Sequence, residues 1–316
     1  MKRREFLTRA GQGLAAAAIS AGAGDLLFAK QSAGGSSASP KLEQVCISSW
    51  SFHNYFSSTR EKDFQLSGEM LKLVDFPEMV ADRYHVHTME FVAPHFESTT
   101  PSYLNELKAR LAKAHSRVVN IPVDIEEFQS GGGLSDQNDA VRNKAIQGAM
   151  RWIDVGRELG CQSVRCDPGK MHPSNLAPTA DSYKKIGTYG GMKKIKVIIE
   201  NHDEIGSTHP EVLVSLFKMV GHHRVGALPD FGNFPDEATR ERGLTLLFPW
   251  AFDVCHAKGY EFDAAGKETK FNFPKCVDIS KKAKFGGVYS IEFEGPNTYD
   301  PYKGVQNVVN ELVMYL

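Results

Sequence analysis

Several features that would assign this chain to a class at once are scarce or missing. Its five cysteines (Cys46, Cys161, Cys166, Cys255 and Cys276) are an odd number with no C-x-x-C pair, and most lie inside apolar runs where cysteine acts as a small hydrophobe. A disulfide framework is therefore not expected. No G-x-G-x-x-G follows the first apolar run, and the Gly131-Gly132-Gly133 triplet sits in a polar stretch, so the dinucleotide fingerprint of an open doubly wound sheet is missing. No repeat of short fixed period is present. There is no basic block either. The chain carries a net charge of −1, and residues 1–40 hold five basic and two acidic residues, which leaves the remainder at −4. A mildly acidic body without a basic patch excludes the electrostatic footprint of a nucleic-acid or anionic-membrane binder.

What is there begins with a leader. "MKRREFLTRAGQGLAAAAISAGAGDLLFAK" has a basic start, a weakly apolar Ala/Gly-rich core and small residues before Lys30, the build of an export signal. Arg3-Arg4 followed by Glu5-Phe6-Leu7 resembles the twin-arginine export motif, a route that carries folded proteins. The apolar part is short and glycine-rich for a membrane span. Residues 31–40, "QSAGGSSASP", have linker composition. The expectation is a leader and linker over 1–40, a folded domain over 41–316, a periplasmic or otherwise exported location, and no membrane span once the leader is removed.

From Lys41 onward, short β-rich runs alternate with amphipathic stretches. Strands are predicted at 44–50, 88–92, 118–123, 163–167, 196–201, 225–230, 251–257 and 287–294. Between them lie helical segments such as "SYLNELKARLAKAH" and "NKAIQGAMRWIDVGRELG", the second with a glycine stop. Strict alternation implies a parallel sheet with right-handed crossovers, and eight units in about 275 residues fit an α/β (β/α)8 TIM barrel in a single domain. An open doubly wound sheet is the competitor. One local departure is expected: the span from Pro173 to Lys196 is short for a full connecting helix, and its "TYGGMKK" weakens one further.

In such a barrel the chemistry gathers at the C-terminal ends of the strands. The last four strands end "IIENH", "ALPD", "DVCH" and "SIEFE", and so deliver Glu200, Asp230, His256 and Glu292 to one rim. Each alone reads as a salt-bridge partner or a satisfied core residue. Together, three carboxylates crowded with one imidazole resist ionising unless a cation compensates them. The oxygen-rich set suits a six-coordinate divalent ion, Mn²⁺ first and Mg²⁺ or Co²⁺ next, better than tetrahedral Zn²⁺. By alternation Glu294 shares the strand face of Glu292, one step outward, as a support or a contact to substrate. Trp50, His95, Asp124, Arg165 and Asp167, at the ends of the first four strands, are further candidates to line a small-molecule pocket.

The Glu200, Asp230, His256 and Glu292 series, at intervals of 30, 26 and 36 residues, resembles the xylose-isomerase-like TIM-barrel superfamily of sugar isomerases and epimerases over roughly residues 42–316. That resemblance implies a single divalent metal and a sugar substrate. It also implies two glutamates, here Glu200 and Glu292, that ligate the metal and act as acid and base on opposite faces of the substrate. The sequence departs from the epimerases in reading "DFGN", so that Asn233 stands where a substrate-holding histidine is usual. "HAKG" is similar to the dehydratase branch and brings Lys258 to the pocket; "ENH" adds His202. The expectation is an isomerase or epimerase working through an enediolate on a free, non-phosphorylated sugar or keto-sugar. Open alternatives are a 3-keto-glycoside lyase or hydratase at the same site and a non-catalytic periplasmic sugar-binding barrel. A nucleic-acid-processing relative is disfavoured by the charge, and the oligomeric state is left undetermined.

Overall fold

The computed structural model describes residues 40–316 apart from positions 67, 203 and 222. The leader, with its twin-arginine-like motif, lies outside them. Eight parallel strands form the sheet: β1 Val45–Ser48, β2 Thr88–Glu90, β3 Arg117–Val123, β4 Ser163–Cys166, β5 Lys196–Glu200, β6 Val225–Leu228, β7 Val254–Gly259 and β8 Val288–Phe293. Their order is β6-β5-β4-β3-β2-β1-β8-β7. Because β1 pairs with both β2 and β8, the sheet curls until its two ends meet. They meet through parallel bridges, Ala227 with Ala251 and Asp230 with His256. At this seam the Phe231 N–H donates to His256 O at 3.1 Å, and the His256 N–H donates to Pro229 O at 2.9 Å. The result is a (β/α)8 TIM barrel.

Helices cover the outside, and their ends are written in the sequence. Asn138 caps the helix Asp139–Leu159 by accepting from the Ala140 N–H, and Gly160 ends it in the left-handed region at φ 79°. Asp236 caps Glu237–Leu247 in the same way, through the Thr239 N–H.

The stretch after Pro173 corrects one expectation. It carries a full 17-residue helix, Ala177–Lys193. The glycines that lower its intrinsic propensity serve its packing, since a Cβ on Gly190 would stand 2.6 Å from the Ile195 carbonyl at the entry to β5. Burial of Ala180, Tyr183 and Ile186 on the inner face then outweighs the propensity cost, because tertiary packing supplies most helical stability in proteins.

Inside the barrel the strands alternate, and the inward positions are layered. Cys46, Val119, Ile198, Leu228, Val254 and Val288, one from each of six strands, form a fully apolar cluster separate from the layer between sheet and helices. On β5, β6 and β7 these residues stand two positions before Glu200, Asp230 and His256, and on β8 Val288 precedes Ser290 and Glu292 on the same face. An apolar floor therefore closes the barrel beneath a layer of polar and charged side chains. The five cysteines are all buried free thiols.

Candidate metal centre and its pocket

Glu200, Asp230, His256 and Glu292 converge on the floor. One potential ligand atom from each lies within 4.8 Å of the other three, and all four residues are buried. His256 sits at the centre, its Nδ1 3.0 Å from Glu200 Oε1, 3.2 Å from Glu292 Oε2 and 3.5 Å from Asp230 Oδ2. The barrel's seam contributes two of the four, because Asp230 and His256 are directly paired across it.

Free valences decide whether these residues suit a divalent cation. Asp230 Oδ1 accepts the backbone N–H groups of Gly232 and Asn233 at 2.6 and 2.8 Å, while Oδ2 is buried and accepts no hydrogen bond. Glu200 Oε2 is in the same position, facing Arg165 Nε at 3.1 Å without hydrogen-bond alignment. A buried carboxylate oxygen without a donor is costly, so convergent oxygens of this kind beside one imidazole fit a hard or borderline divalent ion. Among the described residues no other group has this arrangement.

Lys258 is the second organising charge. It lies within β7, one residue beyond the predicted end of that strand, and its ammonium is fully buried. It donates to Glu292 Oε2 at 2.8 Å and Glu294 Oε1 at 3.1 Å, and stands 3.3 Å from Asp230 Oδ2. Gly232 makes the room: a Cβ there would stand 2.6 Å from Lys258 Cγ. Burial opposes the charge on Lys258, but Asp230, Glu292 and Glu294 outweigh it and hold the ammonium's pKa well above the ordinary lysine value.

The two glutamates differ. Burial pushes Glu292 up to about 7 against the pull of His256 and Lys258. Burial acts on Glu200 too, but His256 and Arg165 outweigh it and keep that carboxyl well below the usual range. Glu294, also raised by burial, is brought below its ordinary value by Lys258 and by Trp50, whose Nε1–H donates to Oε1 at 2.6 Å.

A cavity of about 360 Å³ opens above this layer, lined among others by Trp50, Asp124, Arg165, Glu200, His202, Lys258, Glu292 and Glu294. Three predicted pocket residues stand behind it. His95 is 2% exposed and stacks on Phe56 at 3.8 Å, with Nδ1 on the Ser49 hydroxyl at 2.8 Å and Nε2 on the Thr59 hydroxyl at 2.9 Å. It supports Thr59, which does line the cavity. Asn233 donates to Glu200 Oε1 at 3.1 Å. Asp167 backs Arg165, which also donates to Asp124 at 2.8 Å, and lies 3.4 Å from His202 at the exposed rim.

Glu90, the last residue of β2, is absent from the sequence-based candidates. It is fully buried, with Oε1 3.0 Å from His256 Nε2. An acid inside the apolar run "TMEFV" is the signal that points to it.

The xylose isomerase-like TIM barrel family model matches residues 80–311. The chain belongs to this family. Solved structures similar to this xylose isomerase-like barrel include D-psicose 3-epimerase from Clostridium cellulolyticum H10, described with D-tagatose, at 13% identity and TM-score 0.65, covering 86% of this chain and 98% of that one. A xylose isomerase-like TIM barrel protein from Mycobacterium smegmatis in complex with magnesium is similar at 16% identity and TM-score 0.60, covering 86% and 97%. The probable 3-DHS dehydratase AsbF of Bacillus anthracis is similar at 12% identity and TM-score 0.60, covering 85% and 98%. At these identities the likeness is one of fold. A comparison with curated proteins finds no match. No helix among the described residues is long and apolar enough to cross a membrane.

Proposed function

We propose that this barrel is a divalent-metal-dependent enzyme that enolises a free sugar or keto-sugar, with isomerisation or epimerisation as the outcome. The observation that carries the reading is the convergence of Glu200, Asp230, His256 and Glu292, two of their oxygens buried without an aligned hydrogen bond, at the base of a sugar-sized cavity. These four residues would hold the ion, Mn²⁺ being the first choice. A divalent ion held there supplies Lewis-acid polarisation of a carbonyl and its neighbouring hydroxyl, which lowers the cost of an enediolate.

The protein's own groups supply the proton transfers. Glu292, which faces the cavity with the Lys258 ammonium 2.8 Å away, is the carboxylate placed to take and return the proton. Glu200, ionised and oriented by Asn233 and Arg165, is the second carboxylate that epimerisation requires. Every cation at the cavity is already committed. Arg165 is paired with Asp124, Asp167 and Glu200; Lys258 with Asp230, Glu292 and Glu294; His202 with Asp167. A phosphate would find no uncompensated positive charge among them, which supports a non-phosphorylated substrate. The twin-arginine-like leader supports the same conclusion through an exported, periplasmic location, where sugar phosphates are scarce.

Lys258 favours a second reading. An ammonium 2.8 Å from the candidate base is placed to stabilise the negative charge on a departing oxygen, which serves a 3-keto-glycoside lyase or hydratase. Incubation in D₂O with free ketoses, 3-keto-glycosides and phosphorylated counterparts separates the readings. We expect Mn²⁺-dependent deuterium incorporation beside the carbonyl of a non-phosphorylated sugar, reduced about 10²–10⁴-fold in Glu292→Gln. Elimination or hydration products would select the second reading. Sugar binding without exchange would leave a binding barrel, and activity indifferent to chelator would end the metal-dependent reading altogether.

A further inference from the structure

We infer that Glu90 is a positioning residue for the metal centre: it fixes the tautomer and the plane of His256, so that Nδ1 is presented to the cation site. The inference rests on the metal-dependent reading above. His256 is wholly buried between carboxylates, and its two nitrogens have different neighbours. Nδ1 faces Glu200, Asp230 and Glu292, whereas Nε2 meets Glu90 Oε1 at 3.0 Å. A ligating imidazole needs a bare nitrogen on the metal side and carries its proton on the other, where a hydrogen-bond acceptor holds it.

In its surroundings Glu90 acts only as an acceptor. Asn120 donates its amide to Glu90 Oε2 at 2.7 Å, and its Oδ1 accepts from the Ser163 hydroxyl at 2.9 Å, so the carboxylate of Glu90 sets the direction of the amide. The Ser290 hydroxyl adds a bond to Glu90 Oε1 at 3.3 Å. Thus β4, β3 and β2 form a relay, Ser163 to Asn120 to Glu90, that ends on a ring carried by β7. With the Asn120 amide in this direction both oxygens of residue 90 accept, as a carboxylate does. A glutamine keeps its carbonyl on His256 only if the Asn120 amide turns over and the Ser163 hydroxyl accepts from it; otherwise its NH₂ either meets the Asn120 amide or turns toward His256. In the last case Nε2 must accept, and the proton moves to Nδ1, the nitrogen that faces the ligand oxygens.

This logic specifies a compensated pair. In Glu90→Gln combined with Asn120→Asp, the glutamine amide donates to residue 120 and its carbonyl still accepts from Nε2–H. The negative charge moves one side chain outward, and the tautomer is kept.

The test is metal affinity of the purified protein, measured by competition with a fluorescent chelator, using Mn²⁺ and Zn²⁺ alone. We expect Glu90→Leu, which leaves Nε2 without its acceptor, to weaken binding about 10–100-fold and the Glu90→Gln, Asn120→Asp double variant to stay near wild type. A Glu90→Leu protein that folds and binds metal like wild type overturns the inference, as does a double variant that binds no better than Glu90→Leu. If the variants fail to fold, the ¹⁵N-histidine spectrum of the Zn²⁺-loaded wild type decides: His256 protonated at Nε2 is expected, and protonation at Nδ1 overturns it. Failure of the wild type to bind any divalent metal would instead refute the metal-dependent reading itself.

Discussion

His95 is a neutral imidazole closed between two hydroxyls and the face of Phe56, and burial pushes its pKa from 6.5 down to about 3. In the unfolded chain the ring takes a proton near pH 6.5, and in the fold only near pH 3. Between those values the unfolded state binds one proton more, so this residue's contribution is complete above pH 6.5 and is lost as pH falls toward 3, by about 1.4 kcal/mol per pH unit. Urea unfolding of wild type and His95→Gln between pH 4 and 7 should therefore give curves that converge on acidification; parallel curves would show that His95 does not titrate in this way. The residue also marks where a sequence stops being informative. A histidine after a strand reads equally well as a pocket wall or as a support, and only packing tells them apart: His95 and Asp167 are set back behind Thr59 and Arg165. Glu200, Asp230, His256 and Glu292 were legible because four successive strand ends carried metal-capable side chains. Glu90 was not, because an acid within "TMEFV" declares its meaning only when His256 comes to face it from β7.

At the scale of elements, the eight strands were legible from alternation and punctuation, and the closed barrel from their number, while the way the barrel closes was not. Nothing in the sequence of β6 or β7 says that they meet only through the bridges at Ala227–Ala251 and Asp230–His256. The helix Ala177–Lys193 was likewise hidden, because the glycines that lower its propensity are the residues that let it approach β5. Gly226 plays a similar part at the seam. A Cβ there would stand 2.4 Å from the Trp250 carbonyl and 2.7 Å from the Phe252 ring, and backbone must shift to admit it. Overpacking of this kind costs about 1–3 kcal/mol. Gly226→Ala should thus lower the urea midpoint, and because the strain falls at the Ala227–Ala251 bridge of the same seam that pairs Asp230 with His256, it should weaken metal binding as well. A variant that loses stability but keeps wild-type metal affinity would show that seam and site are uncoupled.

At the scale of the whole molecule, the barrel holds a cluster of acids over an apolar floor, and without an added cation Lys258, Arg165 and His256 carry the compensating charge. Removing one partner of a buried charge network is costly because the remaining charges stay buried, about 3–5 kcal/mol where a pair is broken. Lys258→Met takes the ammonium away from Asp230, Glu292 and Glu294, so the chelator-treated variant should lose stability of that order. A divalent ion held by Asp230 and Glu292 restores positive charge to the same carboxylates, and the deficit should shrink in saturating Mn²⁺. Stability gained from a ligand grows with its affinity for the folded state, so a larger gain in the variant requires tighter binding. The expectation is therefore a protein that unfolds more easily than wild type in chelator yet binds Mn²⁺ more tightly, measured by chemical denaturation with and without metal and by direct titration. Equal losses of stability in both conditions, with unchanged affinity, would mean that Lys258 and the metal do not share these carboxylates.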